Sequence, residues 1–193
     1  MSGIVKHKTV LPARLAPRGD RLRAVTDVVR EFLVFSLGDE LMGLPLASVR
    51  EILKVVPVTQ VPRAPADVLG ILSVRGRITT VLDLRRRLRM PAAPATRHAR
   101  VLLVQTKDEI MGARVDAVHH VERLREDEIE PAAVAGGDLP DHVLGIGRPR
   151  RVRTGTESDA ASTVIVLFDP HLLLSMTAPS AALAAASRPR GAG

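Results

Sequence analysis

The 193-residue chain has no cysteine, no tryptophan and no tyrosine, and only three phenylalanines. Without cysteine there is no disulfide framework and no thiolate metal site. With so few aromatic rings, a platform that stacks nucleic-acid bases lacks its material. No apolar run reaches the roughly 18 residues a membrane-spanning helix needs. The opening MSGIVKHKTVLPARLAPRGD has no continuous apolar stretch of signal-peptide type, so no secretory signal is read and a cytoplasmic protein is expected. Catalytic constellations are missing as well. His7, His98, His119, His120, His142 and His171 show no metal-ligand spacing, and on a strand the adjacent His119 and His120 point to opposite faces. No Ser/His/Asp arrangement, phosphate-cradling glycine loop or paired-carboxylate motif stands out, and GIGR at 145–148 is too short for a dinucleotide fingerprint. No enzyme, no cofactor and no metal are expected.

What is present is apolar material and basic charge. Hydrophobic residues make up 46% of the chain, enough for a real core. The net charge is +7, which invites a nucleic-acid-binding β-barrel as a rival reading. Its location argues against that. Residues 1–30 carry +5, residues 176–193 carry +2, and the 19 basic and 19 acidic residues of 31–175 cancel. Phe32, Phe35 and Phe168 all lie in strongly apolar segments, where rings belong to a core. Three regions are expected: a basic, disordered extension over 1–30 with a short helix near 22–29, a folded body over 31–175, and an Ala-rich tail over 176–193.

The body is dense in short strand signals. Strands are expected at 31–37 and 40–46 around a Gly38-Asp39 turn, and at 70–75 and 77–84 around Arg75-Gly76. Further strands are expected at 100–106, 109–118, 120–124, 142–148 and 163–168. Leu46, Val49, Ile52 and Leu53 are spaced as one face of a short helical turn, with Arg50 and Glu51 outward. Residues 125–140 read as a loop with one acidic turn. Asp169 and Pro170 read as the N-cap and first residue of a helix. Asp83 ends a strand, where it can cap the basic helix that follows. The segments LVF, VLLV and VIVL are apolar on both faces and so belong inside. Many short strands without a βαβ rhythm predict a mainly β architecture of barrel or sandwich type.

Several stretches together carry a family resemblance. EFLVFSLGDELMGLPLASVREI, VLGILSVRGRITTVLDLR and MGARVDAVHHV resemble, in order and spacing, the CheW-type coupling proteins of chemotaxis. HVLGIG and VIVLFDPHLLL fit that family's closing segment. The resemblance covers 31–175. It implies two five-stranded SH3-like β-barrels around a shared apolar core, with few short helices. It also implies a non-enzymatic adaptor that joins the cytoplasmic tips of methyl-accepting chemoreceptors to the regulatory domain of a CheA-type histidine kinase. Such an adaptor would be recruited to membrane-associated receptor arrays and would control the kinase there. Matched residue by residue, the kinase-facing positions are Val49 and Gly70, and the receptor-facing positions are Glu51, Arg75, Val118 and Val121. A narrower alternative is a CheW-like protein of a non-flagellar or gene-regulatory pathway that binds receptor but not kinase.

This chain departs from the family pattern at named places. Ser73-Val74-Arg75-Gly76 stands where Asn-Leu-Arg-Gly is usual, and Met42 stands where an aromatic is usual. The loop 148–162, with Arg148, Arg150, Arg151 and Arg153, is longer and more basic. Each functional residue also has a plainer reading. Arg75-Gly76 is either simple turn chemistry or a stiff mount for a binding arginine. Val49 fits core packing, Glu51 fits a surface pair with Arg50 or Lys54, and Asp116 fits a loop hydrogen bond or a pair with Arg114.

Overall fold

A computed structural model of the chain describes residues 28–136, 139–150 and 163–176. Eleven strands form two curled sheets among them. The first is made of β1 (Val29–Leu37), β2 (Glu40–Pro45), β8 (Ala117–Arg125), β9 (Ile129–Pro131), β10 (Val143–Gly147) and β11 (Ile165–Phe168), in the order β8-β1-β2-β11-β10-β9. The second holds β3 (Val49–Lys54), β4 (Val68–Val74), β5 (Arg77–Asp83), β6 (Arg100–Gln105) and β7 (Ile110–Val115), in the order β3-β6-β7-β5-β4. The chain therefore begins in one sheet, builds all of the other, and returns. The mainly β, two-sheet architecture agrees with the expectation, and the first sheet carries a sixth strand, the three-residue β9.

The doubly apolar strands explain how the sheets meet. Along β1, Leu33, Phe35 and Leu37 face one way, and Phe32 and Val34 the other. Along β6, Leu102 and Val104 face one way, and Val101 and Leu103 the other. One set from each sheet joins a shared core with Met42, Leu44, Leu82, Met111 and Phe168. The opposite sets fill a separate interior in each curled sheet. A strand with both faces in a core must read as a continuous apolar run. The three phenylalanines are at most 3% exposed, so none is free to stack on a base. Met42, in the position of the usual aromatic, is buried in the shared core.

Several expectations need correction. Only Leu46–Ser48 forms a helical turn, of 3-10 type, and Val49 onward is strand β3. A β-bulge explains the misleading spacing. Val49 pairs with Val104 and Glu51 with Leu103, leaving Arg50 as the extra residue. Val49 and Ile52, three apart, thereby share a face and imitate helical periodicity, while Glu51 and Leu53 take the other. Residues 125–140 are not all loop, since Glu126–Glu128, β9 and the short helix α2 (Ala132–Ala135) lie there. β9 pairs only with β10, so its composition is that of an edge rather than an apolar strand. Strand β1 also begins two residues earlier than the expected 31, because Val29 and Arg30 already pair with Arg125 and Leu124. The expectations for 1–27, for Arg151 and Arg153, and for 177–193 lie outside the described residues.

The break between β7 and β8 falls at Asp116, not near 119, because the chain passes there from the second sheet to the first. The Asp116 Oδ2 accepts from the Gly38 amide at 2.7 Å and from Arg85 at 2.6 Å. The loop hydrogen bond foreseen for Asp116 is present, but its arginine partner is Arg85, because Arg114 is taken by Asp83 at 2.6 Å. Asp83 caps α1 (Leu84–Arg87) as expected, accepting from the Arg85 amide at 3.1 Å. Asp169 likewise caps α3 (Pro170–Leu174) through the amides of His171 and Leu172.

Candidate protein-interaction site

The β4–β5 hairpin is closed by Arg75 and Gly76 alone, since Val74 already pairs with Arg77. Both turn residues have positive φ, 49° and 79°, which is the backbone of a type I′ turn. Glycine adopts it freely, whereas an arginine there is strained. The turn therefore asks for positive φ at the arginine as well as at the glycine. The Arg75 side chain is 81% exposed, and its guanidinium lies 3.2–3.3 Å from both carboxylate oxygens of Glu51. Glu51 therefore pairs with neither Arg50 nor Lys54 in the way a simple surface reading foresaw. β3 and β4 are the two edges of their sheet, so this ion pair joins the hairpin tip to the opposite edge. Nearby, an isolated backbone bridge links Thr59, in the segment after β3, to Ile71 of β4, with N···O distances of 2.9 and 2.8 Å.

Gly70 belongs to that closure. It is buried, its φ is +149°, and a Cβ there would lie 2.3 Å from the Thr59 carbonyl oxygen. It contributes close backbone approach, not a side chain. Val49 is half-buried against the shared core. The two positions matched to the kinase-facing surface thus lie on opposite edge strands of one sheet.

Strand register decides where the remaining candidates point, because directly opposed residues share a face. Val118 opposes Phe35 and Val121 opposes Leu33, so both lie on the shared-core face of β8, an edge strand. Val118 packs against that core, while Val121 is 42% exposed. On the second sheet, Ile52 opposes Leu102, and Ile78 lies on the Leu82 face two periods away. Both lie on the shared-core face but overhang it, Ile52 at 43% and Ile78 at 75% exposure. Each sheet therefore carries exposed or half-buried apolar residues on its shared-core face, with the Arg75–Glu51 pair on the second sheet. Ile52 and Ile78 escaped sequence reasoning. Ile52 was hidden by the imitated helical spacing, whereas the alternation Ile78, Thr80, Leu82 did carry a signal for Ile78.

Among the described residues Arg85 is shifted upward and Asp116, Glu128 and His142 downward, and of these Asp116 and His142 bear on the joint between the sheets. Burial raises the Asp116 carboxyl, but the Arg85 fork, the Gly38 amide and the charges of Arg85 and Arg114 outweigh it, so the net shift is downward. Burial lowers His142, the Arg87 charge lowers it further, and Asp141 opposes them weakly. Among the described residues no group of three or more His, Asp or Glu side chains could hold a metal ion, and no helix is long and apolar enough to cross a membrane. The arrangement offers exposed apolar and charged groups on stiff strands, which is the chemistry of docking.

Residues 31–178 match the family model of the CheW-like domain. The chain belongs to the CheW-like family. It is 35% identical over 111 residues to the probable chemotaxis protein CheW of Rhizobium etli, covering 57% of this chain and 71% of that one. It is 31% identical over 117 residues to protein FrzA of Myxococcus xanthus, covering 61% and 73%. Among solved structures, the scaffolding protein TtCheW from Thermoanaerobacter tengcongensis superimposes with a TM-score of 0.65 at 28% identity, covering 78% of this chain and 95% of that one. The CheW-like fold and the kinship with chemotaxis scaffold proteins follow from these matches.

Proposed function

We propose that this CheW-like chain is a chemotaxis-type adaptor without catalytic activity, coupling the cytoplasmic tips of methyl-accepting chemoreceptors to the regulatory domain of a CheA-type histidine kinase. The observation that carries this reading is the apolar overhang of Ile52, Ile78, Val118 and Val121 on two sheets, with Arg75 held on a strained, exposed turn. Apolar residues with a charged residue beside them suit an amphipathic helix as partner. Arg75, with Glu51 orienting its guanidinium, is assigned to the receptor-facing surface together with Val118 and Val121. Strain kept at an exposed position is better explained by binding than by folding. Val49 and the β4 edge that Gly70 shapes are assigned to the kinase-facing surface. Work inside the cell at receptor arrays belongs to the same reading.

Co-sedimentation with a receptor cytoplasmic fragment and with the kinase regulatory domain, separately and together, tests it. Binding to both, with a ternary complex, is the expected result. Binding to neither would remove the adaptor reading. Binding to receptor alone would select an adaptor of a pathway that does not recruit this kinase.

A further inference from the structure

Helix α1 has only four residues, yet its arginines reach in two directions. Arg85 forks onto Asp116 with Nε at 2.8 Å and an Nη at 2.6 Å from Oδ2, and it also donates to the Pro91 carbonyl at 2.9 Å. The same Asp116 oxygen holds the amide of Gly38, in the β1–β2 turn of the first sheet, at 2.7 Å. Arg87 donates to the carbonyls of Leu173 and Ser175 at 2.9 and 2.5 Å, at the end of α3, and to Asp67 before β4 at 2.8 Å. α3 follows β11 of the first sheet, whereas α1 continues β5 of the second. Asp83, 1% exposed, anchors the base of α1 through Arg114 and the Arg85 amide.

These contacts differ in kind from the shared core. Apolar burial is non-directional and fixes how closely the sheets pack more firmly than how they are rotated. Bidentate guanidinium bonds are directional. The interlock sits at the Asp83 end of β5, and the overhanging Ile78 sits at the other end, about 17 Å away at strand rise. The shared core lies between them, so a rotation released at one end appears at the other.

We infer that Arg85 and Arg87 are positioning residues that fix the orientation of one sheet against the other, and through it the spacing of Ile52 and Ile78 from Val118 and Val121. The link to the overhang's function rests on the receptor-facing reading above; the link to sheet orientation does not. Because the chain has no cysteine, paired spin labels can be introduced cleanly. Labels at the exposed Arg77 and His119 span the two sheets, and labels at Arg77 and Lys54 stay within one. In Arg87→Met the cross-sheet distance distribution shifts or broadens while the within-sheet one stays fixed. Arg87→Lys, which keeps charge but loses the fork, gives the same change in smaller measure and serves where the methionine variant does not fold. In the unlabelled variants, receptor-fragment affinity falls about fivefold, the low end of typical coupling between separated sites. An unchanged cross-sheet distribution in a folded Arg87 variant overturns the inference. A changed distribution with unchanged receptor affinity upholds the interlock and overturns the receptor-facing reading.

Discussion

Replacing Arg75 by asparagine separates the two explanations of the hairpin tip, because it alters folding and binding by different amounts. In the folded state Arg75 makes one ion pair with Glu51, and its side chain is 81% exposed. Exposed pairs of this kind contribute about 0–1 kcal/mol. Against that loss stands the backbone. Arg75 sits at φ 49°, and an ordinary side chain in the left-handed region costs on the order of 1 kcal/mol. Asparagine tolerates that region and, with Gly76, forms the Asn-Gly pair most favoured in type I′ turns. The two terms nearly cancel, so the net change is within about 0.5 kcal/mol. For a chain of this size that moves the melting temperature by no more than about 2 °C. Receptor binding responds differently if Arg75 is an anchor, since an arginine hot spot contributes about 1–2 kcal/mol or more, a factor of about 5–30 in affinity. Thermal denaturation and titration of a receptor fragment, on the same preparations, check both halves. A fall of more than about 5 °C would show that Arg75 closes the sheet and is needed for folding. An unchanged melt with unchanged affinity would remove Arg75 from the interface.

Gly70→Ala is expected to destabilise the chain by about 2–4 kcal/mol, since the new methyl meets the Thr59 carbonyl at 2.3 Å on a backbone of positive φ; the drop in denaturation midpoint measures it. His142 carries a depressed folded-state value, so the folded state binds fewer protons than the unfolded one. Its stabilising share is full above the ordinary histidine value near 6.5 and is lost as pH falls through that value toward the depressed one. His142→Leu therefore flattens the stability profile just below the ordinary histidine value near 6.5. Asp116 is also depressed, so its share is present above the usual carboxylate range and is lost at lower pH still. Asp116→Asn removes that acid dependence and lowers stability at neutral pH.

The sequence by itself determined the class of fold and much of the punctuation. Runs such as VLLV and VIVL, apolar at every position, point to cores on both faces of a strand, and without a βαβ rhythm packed sheets or barrels supply them. Gly38, Gly76, Asp83 and Asp169 announce their turns and caps because those roles depend on local backbone and neighbouring amides. The order of motifs carried the family. What the sequence could not convey depends on pairing. The bulge at Arg50 exists only because β3 lies against β6, and it turned a strand into an apparent helical face. β9 is a strand only because β10 offers it an edge. Arg85 chose Asp116, and Arg114 chose Asp83, across 31 residues of chain in each case. Composition could place those charges near strand ends but not match them. Above all, Glu51 and Arg75 are neighbours because the second sheet curls, and Ile52, Ile78, Val118 and Val121 take the shared-core faces of their sheets because of strand register. Long-range register set that arrangement, and local sequence holds no record of it.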